Sequence, residues 1–425
     1  MKKAIKKWYK LDNSAIAFAA TLKKRYACVF RYTIKLKEIV DPDLLQQAFE
    51  RVWTRFPYFA VTLRKGLFWT YLEETGANCP RVKEDIANPC KPINLKEDEG
   101  HLMRVFYYEK SISVEFFHVM ADGTGAGVFL RTLCAEYLRL KGVEISPHES
   151  VFDIDSPVNP AEYEDSYFRY GKSKRRVPTR DRRAYRMRST PEANHTLSII
   201  SGVMPLDKLL ALAKKYGVTI TEYLAAVFLK VLYDKQKSEW HLFEKPIKVG
   251  VPVNLRRFFP SQTLRNFISM VSPYVDPNFG DYTFEEIVND VKNYMHYAIN
   301  PKFMRALFTM NIRTETNPVI KVVPYFLKKI VVSAFFKRLG GDQLSGEITN
   351  PGEFKVPPEM AEHMERAEVL MGKPHVNMPF AGFMTFKNTA VLAFTSSIVE
   401  TDVERGFFRY LIKEGIPVKI ESNRY

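Results

Sequence analysis

Val114-Glu115-Phe116-Phe117-His118-Val119-Met120-Ala121-Asp122-Gly123-Thr124-Gly125-Ala126-Gly127 joins an apolar strand to a helix through a turn that carries a histidine, an aspartate and a glycine. The strand pattern ends at His118, and helical spacing runs from about residue 125 to residue 140. A histidine at a strand end is a candidate general base, because its pKa lies near working pH. An aspartate in the adjoining turn can accept hydrogen bonds or pair with an arginine, and so fix the loop. Gly123 permits a positive φ if the turn demands one, and Gly125, Ala126 and Gly127 allow close approach of a neighbouring backbone or ligand. The plainer reading is a structural histidine followed by an ordinary Asp-Gly turn. A dinucleotide fingerprint is disfavoured. The spacing is G-T-G-A-G rather than G-x-G-x-x-G, and a polar, Pro-containing segment over 142–160 follows where a second parallel strand would be needed.

Upstream, residues 28–36 alternate as a strand, and Asp41-Pro42 offers an N-cap with proline at the first helical position before helical spacing over 44–56. Hairpin patterns occupy 58–63 with 67–72, and 103–108 with 112–117. Downstream, 205–216, 222–233, 284–297 and 319–336 read as helices, and 247–255 as a strand. A further hairpin pattern spans 382–386 with 389–396, and a helix is expected over 403–413. Each half mixes helices with antiparallel hairpins, unlike the strict βαβ rhythm of a doubly wound sheet. The expected class is α+β. Residues 1–170 form a lobe carrying the histidine turn, 171–192 a basic crossover linker, and 193–425 a second lobe.

Composition agrees with two lobes. A chain of 425 residues is too long for one ordinary core, and its 46% hydrophobic and 13% aromatic content excludes disorder as a whole. No run of some 18 apolar residues suggests a membrane span. The basic start resembles the n-region of a signal peptide, but the apolar run over 15–22 passes straight into Lys23-Lys24-Arg25, so no export signal is expected. Cys28, Cys79, Cys90 and Cys134 are scattered without CxxC spacing, which fits reduced thiols in a cytoplasmic protein. A zinc site from Cys79, Cys90 and His101 is conceivable but disfavoured. His148, His195, His241, His296, His363 and His375 lack metal-ligand spacing, so no metal is expected. The net charge is +15, and the nine Lys/Arg against Asp181 between Lys172 and Arg188 supply more than half of it. That run lacks periodicity and contains Pro178, so it reads as an exposed linker. Attraction of a phosphorylated substrate or an acidic carrier is the second reading. Nucleic-acid binding is the third, and no reading element accompanies it.

His118-x-x-x-Asp122-Gly123, closing an apolar strand and opening a helix, resembles the HxxxDG motif of the CoA-dependent acyltransferase superfamily. That superfamily includes chloramphenicol acetyltransferase, nonribosomal-peptide condensation domains, wax ester synthases and bacterial alcohol acetyltransferases. The segment 249–257 is similar to the strand-plus-arginine segment of condensation and wax-synthase-like members, and Arg265-Asn266 to the small Asn-containing motif after it. Residues 8–13 and 416–424 resemble alcohol acetyltransferase-like members. The resemblance implies two chloramphenicol-acetyltransferase-like lobes, each a mixed sheet with helices, and a tunnel between them. It implies that His118 takes a proton from an acceptor hydroxyl or amine attacking an acyl thioester, then returns one to the leaving thiol. Asp122 would hold the loop through Arg256, or else Arg257. Asn266, Ser396 and Ser397 become candidates for the oxyanion donor. The implied donor is acyl-CoA or an acyl-carrier thioester, with an alcohol or amine acceptor, no bound cofactor and an acidic carrier protein as a further partner. A non-catalytic condensation-like fold that binds a carrier or metabolite is the alternative. Phe117 stands where condensation domains often place the first histidine of HHxxxDG, so simple O- or N-acyl transfer is expected over peptide-bond condensation, with an O-acyltransferase such as an alcohol acetyltransferase favoured. The DFGWG-type element of BAHD enzymes is absent from the sequence.

Overall fold

The computed structural model describes residues 6–20, 28–76, 78–173, 182–192, 196–240, 243–317, 323, 343–373 and 378–424. All but one residue of the helix expected over 319–336 lies outside them, as do residues 174–181 of the basic run and His195, His241 and His375.

The first lobe opens with strand β1 (Trp8–Lys10), helix α1 (Asn13–Ala20), β2 (Val29–Leu36) and α2 (Pro42–Arg55). The Asp41 carboxylate accepts from Asp43 N and Leu44 N at 2.9 and 3.0 Å, so local capping chemistry starts α2 where the sequence indicates. The lobe continues with β3 (Val61–Lys65), β4 (Thr70–Glu74), β5 (Lys83–Glu84), β6 (Met103–Tyr108), β7 (Ser111–Phe117), α3 (Gly123–Leu140) and α4 (Ser166–Tyr170). The second half of the chain carries β8 (Ser198–Pro205), α5 (Leu206–Lys215), α6 (Ile220–Ser238), β9 (Ile247–Asn254), β10 (Ile268–Val271), β11 (Tyr274–Val275), α7 (Phe284–Ala298) and α8 (Pro301–Thr316). It ends with β12 (Gly346–Glu353), α9 (Pro358–Glu362), β13 (Met364–Met371), β14 (Phe380–Phe386), β15 (Thr389–Ser396), α10 (Asp402–Lys413) and β16 (Lys419–Ser422).

Among the described residues the strands form three sheets. A small one has the order β1-β4-β3, the first-lobe sheet runs β13-β2-β7-β6-β5, and the eight-stranded second-lobe sheet runs β10-β9-β12-β14-β15-β8-β16 with β11 beside β9. Both large sheets are mixed, because β5 is parallel to β6 and β12 is parallel to β9 and β14. The second half of the chain lends a strand to the first lobe. β13 pairs antiparallel with β2 from Met364↔Leu36 to Met371↔Phe30, so the chain crosses back between lobes. The described end of the basic run is not a solvated linker throughout. Ala184, Tyr185 and Met187 are buried in the second-lobe core, because apolar side chains interleave with the cations and find that core. Among the described residues no single helix is long and apolar enough to cross a membrane, and no group of three His, Cys, Asp or Glu could hold a metal ion.

Candidate active site

β7 delivers His118 to the edge of the first-lobe sheet, where its backbone N–H donates to Cys28 O at 2.7 Å. Phe117, one position earlier, alternates to the opposite face and is buried in the first-lobe core. The imidazole is half-buried between two rings. Phe18 of α1 stacks on it at 4.2 Å between centroids, and Phe30 of β2 lies at 4.8 Å. Burial pushes the His118 pKa below its ordinary value; the Asp122 charge and the hydrogen bond with Asn266 pull the other way. The ring is therefore neutral at physiological pH, as a base must be.

Its tautomer follows from Asn266. The Asn266 Nδ2 group donates to His118 O at 2.9 Å, a carbonyl that can only accept, and to Asp12 Oδ2 at 3.3 Å. This orientation leaves Asn266 Oδ1, 2.9 Å from His118 Nδ1, as an acceptor. Nδ1 thus carries the proton and Nε2 holds the free lone pair. As an oxyanion donor Asn266 has nothing left to give, since both amide hydrogens are engaged. Asp12, which the sequence did not single out, is fully buried and also receives Ala15 N at 2.8 Å, tying the start of α1 to the histidine.

Asp122 is buried and receives four donors. Oδ1 caps α3 through Thr124 N at 3.0 Å and Gly125 N at 3.4 Å, while Oδ2 takes Arg256 Nη1 at 2.7 Å and Phe267 N at 2.9 Å. The last two come from the second lobe, so this carboxylate fastens one lobe to the other. Arg256 spends its other N–H groups on the Thr263 and Arg265 carbonyls at 2.7 Å each from Nη2, with Nε 3.1 Å from Thr263 O. Of the two arginines considered from sequence, Arg256 makes the pair and Arg257 is exposed.

Gly123 does not adopt a positive φ; it is the first residue of α3, and a Cβ there would collide with the Tyr32 hydroxyl. At Gly125 a Cβ would strike the Leu264 carbonyl of the second-lobe loop. Both glycines thus serve close packing. Ser396 Oγ accepts from Ile398 N at 3.3 Å, and Ser397 Oγ is buried with no hydrogen-bond partner among the described residues. Neither shares a hydrogen bond with His118. His101 is a core histidine packed edge-on against Trp53.

No known protein-family model matches the sequence, and no curated protein matches it. Solved structures do. The first condensation domain of the CDA synthetase superposes with a TM-score of 0.60 at 14% identity, over 96% of this chain and 95% of that one. Polyketide synthase associated protein 5 from Mycobacterium tuberculosis gives 0.58 at 14% identity, over 95% and 97%. Trichothecene 15-O-acetyltransferase from Fusarium sporotrichioides gives 0.57 at 11% identity, over 95% and 94%. The chain has the two-lobed fold of these condensation-domain and acetyltransferase structures. At these identities the likeness is one of fold; activity has to be argued from the site.

Proposed function

We propose that this protein transfers an acyl group from a thioester, either acyl-CoA or an acyl-carrier protein, to an alcohol or amine, with O-acyl transfer favoured. The observation that carries this reading is the contact of His118 Nδ1 with Asn266 Oδ1, whose amide nitrogen is engaged by the His118 carbonyl; it supports a proton on Nδ1 and leaves Nε2 as the base. His118 Nε2 accepts the proton of the acceptor as its oxygen or nitrogen attacks the thioester carbonyl. The tetrahedral intermediate collapses, the C–S bond breaks, and the imidazolium returns the proton to the departing thiolate. Such acid–base help is worth about a hundred- to ten-thousand-fold in rate. Asp122 and Arg256 shape the loop that bears the base and do not touch the reacting atoms. Substrates would meet in a tunnel between the lobes, and Ser396 and Ser397 remain the candidates for the oxyanion donor. No bound cofactor is required. A cytoplasmic location suits the four free thiols.

The test is thiol release and product mass from an acyl-CoA series with pooled alcohols and amines, run on wild type and His118→Ala together. Turnover beyond the four endogenous cysteines that vanishes in the variant supports the reading. Wild-type turnover in a folded His118→Ala would overturn the assigned base. Silence with both acyl-CoA and acylated carrier protein would favour a non-catalytic binding fold.

A further inference from the structure

The wall of the second lobe that faces the first carries an acid that no charged group neutralises among the described residues. On β12, β14 and β15 the side chains at Glu347, Phe380 and Thr395 lie in one row across the sheet, since Glu347 is in register with Phe380 and Phe380 with Thr395. Parity fixes the face. Ile348, Ala381 and Phe394 belong to the second-lobe core, whereas Met384 and Ala393, which share the parity of Phe380 and Thr395, pack into the first-lobe core. The row also lies at the end of the seam where His118 sits. Lys387 Nζ donates to Ala361 O at 2.8 Å, and a Cβ on Gly382 would meet Val369 O at 2.5 Å, so β14 runs antiparallel to β13 across the seam. Phe380 therefore falls beside the end of β13, where Gly372 N donates to Val29 O at 2.7 Å next to the Cys28 carbonyl that holds His118.

Glu347 and Phe380 are both partly exposed on this face. Their neighbours are Gly250, which is in register with Glu347, and the Met270 sulfur and Leu344 methyl packed over Gly250. No ion pair or side-chain hydrogen bond reaches Glu347 among the described residues. Lys248, two positions along β9 from Gly250, is spent on Arg182 O at 3.0 Å. At the far end of the row the Thr395 hydroxyl is fully buried without a hydrogen-bond partner among the described residues. Burial alone raises the Glu347 pKa to about 7. An unpaired carboxyl beside an open aromatic ring and a thioether is the chemistry that receives an organic cation. The acid supplies the opposite charge and the ring its negative face.

We infer that Glu347 and Phe380 form a subsite for an ammonium group carried by the acceptor, remote from the hydroxyl that His118 deprotonates. The inference rests on the acyl-transfer reading. It makes the natural acceptor an amino-alcohol or a diamine, and it sets this wall against acceptors that carry a carboxylate.

The experiment compares ω-amino-alcohols, n-alkanols and ω-hydroxy acids of matched length, with acetyl-CoA as donor, for wild type and Glu347→Gln. The expected result is a wild-type kcat/KM at least tenfold higher for one or more amino-alcohols than for the matched alkanol, expressed in KM. Hydroxy acids should be poorest, and the amino-alcohol to alkanol ratio should fall close to one in Glu347→Gln. A wild-type ratio near one at every length, or a ratio that survives the substitution, overturns the subsite. If wild type turns over none of them with acetyl-CoA, the acyl-transfer reading is judged separately with the acyl-CoA series and acylated carrier protein, and melting temperature with alkylammonium ions decides the subsite. A rise in wild type that Glu347→Gln lacks supports it, and equal responses overturn it.

Discussion

Asp122 and Glu347 are carboxyl groups on the two sides of one seam, and they differ in everything but chemistry. Asp122 is enclosed by two helix N–H groups, one strand-end N–H and one guanidinium. Glu347 has no charged or side-chain hydrogen-bonding partner among the described residues, and burial alone displaces its pKa upward. A carboxylate surrounded by fixed donors is holding the protein's shape, because removing it strands each of those donors. A carboxyl left unpaired in the same seam adds nothing to the fold. An ammonium group in the proposed subsite would supply the countercharge.

The largest effect expected lies beside the satisfied carboxylate. His118→Ala should lower turnover by about two to four orders of magnitude with an unchanged circular dichroism spectrum, since the Asp122 carboxylate, capping α3 and pairing with Arg256, still holds the turn. Asp122→Ala comes next and should act through folding: about 3–5 kcal/mol of stability, the usual cost of breaking a buried charge pair, measured by denaturant unfolding. Arg256→Met should lose much of the same, and the double variant should lose less than the sum. Additive losses would show that the pair does not bind the lobes together, and the contrast with Glu347 would collapse.

Asn266→Ala tests the tautomer. Losing one hydrogen bond to the base should reduce kcat about tenfold, roughly 1.4 kcal/mol, with little change in KM. The pH profile separates this from a packing defect. His118 must be neutral to work, so kcat/KM should rise with pH through a midpoint below the ordinary histidine value. Because the Asn266 bond raises that pKa, its removal should move the limb to still lower pH. A variant that is merely loosened would keep the limb in place.

The first-lobe half of the site was legible because its signals are local. Asp41-Pro42 caps its own helix, residues 111–117 alternate, and His118, Asp122 and Gly123 fall within one turn of chain. The second-lobe half is assembled from afar. β13 reads Met-Glu-Arg-Ala-Glu-Val-Leu-Met, charged enough to pass for a loop, and it is a strand because Arg366 finds Glu421 while its backbone pairs with β2, remote in sequence. β12 contains Pro351 and Gly352 at a register shift, which hides it from any alternation rule. Asn266 was visible as a candidate, but its partner Asp12 lies 254 positions away, so its role could not be read from spacing. Glu347 carries no sequence signal at all. Only the sheet register shows that it lacks a partner.

The smallest effect is the sharpest discriminator between the two carboxyls. Glu347 titrates near 7 when folded, against an ordinary value of 4.5. Between those limits the native state binds more protons than the unfolded chain, so this group's contribution to stability falls as pH rises through the window. Below it the carboxyl is protonated in both states and costs nothing; above it the full penalty stands. Glu347→Gln has no such titration, so its melting temperature should match wild type near pH 4 and exceed it by about 1–3 °C at pH 8. Asp12 and Glu404, also raised to about 7 by burial, titrate in both proteins and cancel in the difference. An alkylammonium ion should close the gap at pH 8 by stabilising wild type alone. No gap at pH 8 would mean that Glu347 is already satisfied as Asp122 is, and the two walls of the seam would then be alike.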